Sequence, residues 1–559
     1  MFDTVFRNAT IVDGTGQPAY TADLAVSAGR IAAIGPGLGP ATETVEADGL
    51  TLMPGIIDGH THYDAQLTWD AYADPSPTLG VTSVVIGNCG FTIAPCRPAD
   101  RDLTMRNLTH VEGMSLEALR TGVRWDFEQF PEYLEMLERQ GVAVNVAAFV
   151  GHSSVRTYVL GQDASSRVAT DGEIAEMAQL VRGAMAAGAV GFATSTAEPH
   201  NGENGIPMPS RLADEREVRA LVNAMGADGR GVYMLTRGQG TSIDFLESVA
   251  ADSGRPVIVA ATFYNGTNPT AAAGTLAQTR AARERGNRVF AQVSCCPLTM
   301  DFTLKNPYVF EGLAAWKPAM EAHGEAVKRV YADPAFRAAV KAELRDFRGR
   351  RLFNSQWERL HLVNAGRPEN AGLEGRSLAD LAAERGVDPL DCILDIALEE
   401  DLETEFTAVL LNAEEAGVAP LLTDPDTHIS LSDAGAHLTF LCDAGYGLHL
   451  LGHWVRGRGV LSFEEAVRRL TAQPADLFGI ADRGRLAPGK AADLLLVDPL
   501  TIGRGPKRKV HDLPAGAPRL VTDPVGIHGV WVNGTRIVDD NRVIDTGRRP
   551  GKVLREFAA

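Results

Sequence analysis

Along the middle of the chain, from about residue 56 to residue 480, two hydrophobic rhythms take turns. Apolar, strand-like runs occur at Thr82–Ile86 (TSVVI), Val144–Val150 (VNVAAFV), Val190–Ala193, Gly231–Leu235 (GVYML), Val257–Ala261 (VIVAA), Arg288–Val293 and Ile429–Ser432. Between them, stretches such as Asp171–Ala187 and Asp214–Met225 place apolar residues at helical spacing. Alternation on this scale predicts an α/β architecture with a parallel sheet, and its length suits a (β/α)8 TIM-type barrel.

The two ends have a different texture. LAVSAGRIAAIG alternates around a turn at Gly29, and VWVNGTRIVD reads as a hairpin about Asn533-Gly534. With the apolar strand ADLLLV, this predicts a small β-sandwich domain built from residues 1–55 and 481–559, flanking a barrel over 56–480. Residues 297–365 break the alternation with aromatic, charged, helix-like sequence, and we expect a helical insertion there that covers the barrel mouth.

At 559 residues the chain has room for such a barrel and one smaller domain. A net charge of −18 argues against a nucleic-acid partner or an anionic membrane surface. The apolar runs are too short to span a bilayer, and the first residues lack a signal-peptide pattern. Six cysteines in so long a chain are not a disulfide framework, so we expect a cytoplasmic protein with free thiols. An acidic barrel of this size is expected to form a homo-oligomer, a dimer or tetramer.

Candidate chemistry gathers at the C-terminal ends of the expected strands, where barrel enzymes place their sites. PGIIDGHTH runs from a strand into His60 and His62, which at i and i+2 project from one face and can offer two imidazoles to one divalent ion. Cys89, after TSVVI, reads either as a small buried hydrophobe or as a thiolate ligand. His152, in GHSSVR, reads as structural or catalytic. Asp433, in SLSDAGAH, reads as a helix cap or as a metal ligand that accepts a proton from water.

Taken together, NATIVDGTG, PGIIDGHTHYD, VVIGNCGFTIAPCRP, VGHSSVR, GAVGFATS, SLSDAGAH and LTAQPADLFGIADRGRLAPGKAADLLLVDP resemble the amidohydrolase superfamily, and within it the N-acyl-D-amino-acid deacylases. The resemblance implies a divalent-metal site, zinc in one or two ions, with His60, His62, Asp433 and Cys89 as ligands. Cys89 matches the cysteine that replaces a carboxylated lysine in many relatives, and no lysine occurs before Lys305 to take that role. The family usually carries a histidine at the ends of two middle strands. This chain has Thr236 at the first and Ala261 or Thr262 at the second, which leaves His152 and His200 as candidate replacements.

The activity implied is hydrolysis of a linear amide in an N-acyl-D-amino acid, with Asp433 as base and then acid. Such a small-molecule substrate carries a carboxylate, for which Arg156, Arg237 and Arg456 are candidate clamps, and His437 is a candidate donor to the oxyanion. Two alternatives stay open: a hydrolase of another amide, cyclic amide, carbamate or peptide-like molecule, and a non-catalytic binding or scaffold relative.

Overall fold

The computed structural model describes residues 1–559 except 203–204, 311, 346–352, 354 and 546. The chain forms two compact units. The first comprises Met1–Phe263, Thr270–Cys296 and Val418–Ala559, and the second Tyr264–Pro269 and Pro297–Gly417.

The first unit is organised around eight parallel strands paired in chain order. They are β1 (Ile56–Asp58), β2 (Val81–Ile86), β3 (Asn145–Gly151), β4 (Gly191–Ser195), β5 (Val232–Thr236), β6 (Val257–Thr262), β7 (Val289–Val293) and β8 (His428–Ile429). Residues along β2, β3 and β4 are buried throughout. A parallel strand covered on both faces must be apolar on both, which is why these segments were legible as unbroken apolar runs. The sheet curls until its edges meet. Beyond β1, the His62 N–H donates to the Ala434 carbonyl at 2.7 Å, and Thr61 bridges Ala434 in parallel. Helices return the chain between strands, among them α1 (Arg101–Val111), α2 (His152–Leu160), α3 (Asp171–Ala186) and α4 (Glu215–Gly226). The start of α3 carries a reciprocal capping box, Thr170 with Glu173, and Asp214 accepts the Glu217 N–H at the start of α4.

The apolar run before the two histidines, one stretch in sequence, is two strands in space. Thr51–Pro54 pairs with Phe2–Ile11 and Leu494–Val497, whereas Ile56–Asp58 starts the parallel sheet. The switch occurs at Gly55, where a Cβ would lie 2.2 Å from the Thr82 side chain. Only glycine admits that approach.

Both chain ends enter one nine-stranded sheet in which Thr51–Pro54 joins strands from the beginning of the chain to strands from its end. Phe6, Leu24, Leu52, Leu494 and Trp531 share its core, with the Phe6 and Trp531 rings edge to face at 4.8 Å. Gly503–Val510 and Arg519–Val525 form a separate ribbon. The final residues run beside β3: Val146 N–H donates to the Lys552 carbonyl at 2.9 Å and Leu554 N–H to the Val146 carbonyl at 2.8 Å.

The second unit contains the helices expected over 297–365 but continues to Gly417. Its three-stranded antiparallel sheet explains the extension, because the central strand is Glu405–Leu411, flanked by Leu298–Phe302 and Leu360–Asn364. Trp316, Phe310, Tyr331 and Phe406 lie in its apolar core. Residues 311, 346–352 and 354 of the expected insertion lie outside the described residues. Among the described residues, no helix is long and apolar enough to cross a membrane.

Candidate metal centre

At three strand ends, Asp433 and Cys89 each approach the two imidazoles of His60 and His62. Asp433 Oδ1 lies 3.2 Å from His60 Nε2 and 3.4 Å from His62 Nε2. Cys89 Sγ lies 3.6 Å from His60 Nε2 and 4.0 Å from His62 Nε2. A tetrahedral zinc ion with ordinary bond lengths has N···O edges of about 3.3 Å and N···S edges of about 3.6 Å. The donor set therefore fits a zinc-like ion in chemistry: the His60, His62 and Cys89 donor atoms lie within 4.8 Å of one another, and Asp433 approaches both imidazoles at the N···O edge. Among the described residues, His60, His62 and Cys89 are the group of three such donors close enough to share an ion.

Each ligand is held from behind. His60 Nδ1 meets Gln292 Oε1 of β7 at 2.7 Å, and His62 Nδ1 meets Glu112 Oε1, just past α1, at 3.1 Å. These contacts turn both Nε2 atoms to the centre, as partners of metal-ligating histidines do. Ser430 Oγ accepts the Gly59 N–H at 3.1 Å, and Ser432 Oγ donates to the His60 carbonyl at 3.2 Å, so SLSD clamps the histidine stretch. Asp433 points its carboxylate at the imidazoles, and no helix begins at it. In the Cys89 turn, Asn88 Nδ2 donates to the Val85 carbonyl at 2.8 Å and Asp64 accepts the Gly87 N–H at 2.9 Å. Cys89, Asp433 and His437 all adopt positive φ, at 56°, 49° and 53°. Backbone strain at non-glycine residues concentrates where a site demands a fixed direction.

The electrostatics favour positive charge between the donors. Burial would lower the His60 pKa, but Asp433 and Cys89 carry it up to about 9. His62 is raised against the same burial by Glu112, Asp433 and Cys89. Burial would push Asp433 and Cys89 up, and the two imidazoles hold both below their ordinary values. The Asp433 side chain is 18% exposed, against 2% for His60 and 4% for His62, so it is the ligand open to an incoming molecule.

The remaining sequence candidates separate clearly. His152 is buried at the start of α2 with both ring nitrogens engaged, Nδ1 with Thr194 Oγ1 at 2.6 Å and Nε2 with Glu217 Oε1 at 2.8 Å. Arg156, also buried, pairs with Glu217 and donates to the Ala164 and Arg167 carbonyls. Both belong to an internal network closing α2 against α4, not to a surface that meets substrate. Arg456 donates to the Ile502 carbonyl of the C-terminal segment. Arg237, directly after β5, reaches Thr241 O and Thr275 Oγ1. The ring of His437 leaves Nδ1 buried and without a hydrogen-bond partner, and its backbone N–H donates to the Glu112 carbonyl. His200 Nδ1 meets Ser195 Oγ at 2.6 Å, and burial lowers its pKa to about 4. Glu112 and Gln292 were not anticipated as parts of the centre, and Thr236, named from the sequence only as standing where the family carries a histidine, places Oγ1 3.0 Å from Cys89 Sγ.

A curled parallel sheet with histidine, cysteine and aspartate donors at its strand ends defines a metal-dependent hydrolase of the TIM-barrel type. Residues 43–538 match the Amidohydrolase family, and the chain belongs to it. It is 30% identical to the D-aminoacylase of Alcaligenes xylosoxydans xylosoxydans over 562 residues, covering 100% of this chain and 98% of the relative. It is 28% identical to N-acyl-D-aspartate deacylase of the same organism, covering 99% and 95%. Among solved structures, a crystal structure of D-aminoacylase superposes with a TM-score of 0.67 at 27% identity, covering 100% of both chains. N-acyl-D-glutamate deacylase from Bordetella bronchiseptica, complexed with zinc and a phosphonate mimic of the tetrahedral intermediate, gives 0.66 at 26% identity, covering 99% of this chain and 100% of the other.

Proposed function

We propose that the chain hydrolyses the linear amide of N-acyl-D-amino acids, releasing a carboxylate and a D-amino acid. The observation that carries this reading is the convergence of His60, His62, Cys89 and Asp433, with Asp433 alone open to an incoming molecule. The named activities of the full-length relatives support the choice of bond and hand.

These four residues would hold a divalent cation, which would supply Lewis-acid chemistry, lowering the pKa of water and polarising the scissile carbonyl. The chain's own residues do the rest. His60 and His62 fix the position of the cation, each locked in orientation by Gln292 or Glu112. The Asp433 carboxylate takes the proton of the attacking water and returns it to the leaving nitrogen, so one group serves both halves of the reaction. His437, with Nδ1 unpaired four residues after Asp433, donates to the oxyanion. Of the three arginines, Arg156 is taken by Glu217 and Arg456 by the C-terminal segment. Arg237, next after Thr236 in the chain, donates to Thr241 O and Thr275 Oγ1. Recognition of the substrate carboxylate is assigned to Arg237 for its place at the end of β5.

The test is a panel of N-acetylated D- and L-amino acids together with cyclic amides and carbamates, assayed with the metal-loaded protein. The expected result is turnover of the D-series in preference to the L-series, with Asp433→Asn lowering kcat by about 10²–10⁴-fold. Turnover confined to cyclic amides or carbamates would overturn the linear-amide assignment, and a metal-loaded protein inert to the whole panel would favour a binding role.

A further inference from the structure

We infer that this chain binds a single ion, and that the Thr236 hydroxyl takes the side of Cys89 on which a second cation would otherwise bind. This rests on the reading of His60, His62, Cys89 and Asp433 as a metal site and goes on to count its ions.

All four donors come from one side of the parallel sheet, from β1, β2 and the stretch after β8. Across from them, β4, β5 and β6 end in Ser195, Thr236 and Thr262, and Ser294 follows β7. These are neutral hydroxyls, whereas zinc-like ions draw on imidazole, thiolate and carboxylate. The other donors nearby are engaged elsewhere. Glu112 is paired with His62, His152 has both ring nitrogens in hydrogen bonds, and His200 turns Nδ1 to Ser195. Among the described residues, no second separate group of three His, Cys, Asp or Glu donors lies close enough to hold another ion.

A thiolate has lone pairs enough to bridge two cations. Here Cys89 Sγ meets His60 and His62, which follow β1, at 3.6 and 4.0 Å, and Thr236 Oγ1, which ends β5, at 3.0 Å. With the sulfur ionised, the hydroxyl is the donor. It stabilises the thiolate as a terminal ligand and fills the place of a second metal–sulfur bond. Thr236 is thus a positioning residue, acting on the ion through Cys89. A structure of D-aminoacylase at 26% identity and TM-score 0.64, covering 100% of both chains, is described as having a binuclear metal centre with one-metal activation and second-metal attenuation; this chain would depart from it in lacking the second ion.

Metal-free full-length protein titrated with Co(II), read by elemental analysis and by the thiolate-to-cobalt charge-transfer band, tests this. We expect saturation at one equivalent per chain. Thr236→Val should move the charge-transfer band and weaken Co(II) binding by about 10–100-fold, the usual range for partners of a metal ligand. Thr236→Ser should restore both. A second equivalent bound with comparable affinity would overturn the single-ion inference while leaving the metal site standing. A Thr236→Val spectrum identical to the parent would overturn the role given to Thr236. No Co(II) bound by the parent would overturn the reading of the centre itself.

Discussion

His428 is buried in β8 with neither ring nitrogen hydrogen-bonded, and its ring meets Phe478 edge-on at 5.9 Å. Burial, reinforced by Arg469 and His60, lowers its pKa to about 3. The folded state therefore holds this imidazole neutral, while the unfolded chain protonates it near about 6.5. Its contribution to stability is fully present above that value and is lost as pH falls towards about 3, with a slope of about 1.4 kcal/mol per pH unit for one proton. We expect His428→Gln to remove about one proton from the acid limb of the unfolding free energy, measured by denaturant titration between these limits. An unchanged slope would mean that His428 does not titrate on unfolding. The same scale shows why residue type alone misleads. His152 and Arg156 sit in a motif that suggests chemistry, yet Glu217 takes both of them into the interior.

The centre depends on where short elements stop. Gly435, at φ 92°, lets the loop after β8 pass against the backbone of His62, where a Cβ would lie 2.7 Å from the His62 carbonyl carbon and oxygen. Gly435→Ala is therefore expected to push apart the Asp433 loop and the histidine stretch. It should cost about 1–3 kcal/mol of stability and reduce metal content per chain, measured by thermal melting and elemental analysis. A variant with parental metal content would show that the loop finds another route. At this scale the strands were legible to within two residues, except that the last ends at Ile429 and not Ser432, because buried parallel strands must be apolar on both faces. The junction at Gly55 was not, since one apolar run serves two sheets and nothing local marks the change of partner.

Across the whole molecule, the first and last parts of the chain are tied to the parallel sheet. The C-terminal segment pairs with Val146 through Lys552 and Leu554, and Ala558 N–H donates to the Gly479 carbonyl at 2.8 Å. Removing residues 551–559 leaves the buried Val146 N–H and carbonyl without these partners. Each such loss costs about 1–3 kcal/mol. The truncated protein is expected to melt at lower temperature, by differential scanning calorimetry, while retaining its metal stoichiometry. Loss of metal along with stability would place the segment in the support of the centre as well.

His60, His62, Cys89 and Asp433 were candidates before any coordinates because each lies near the end of an apolar strand, and the resemblance to the amidohydrolases is what grouped them as one ligand set. The alternation of strands and helices likewise settled the parallel sheet. The rest depends on closure of that sheet. Glu112 stands 50 residues from His62, Gln292 232 residues from His60 and Thr236 147 residues from Cys89. None has a periodicity or spacing that announces its partner, because these contacts arise only when the curling strands bring their ends together. Local sequence, read with the family resemblance, supplied the candidate ligands; long-range packing decided what orients them and which neighbouring histidines and arginines are drawn away into the core.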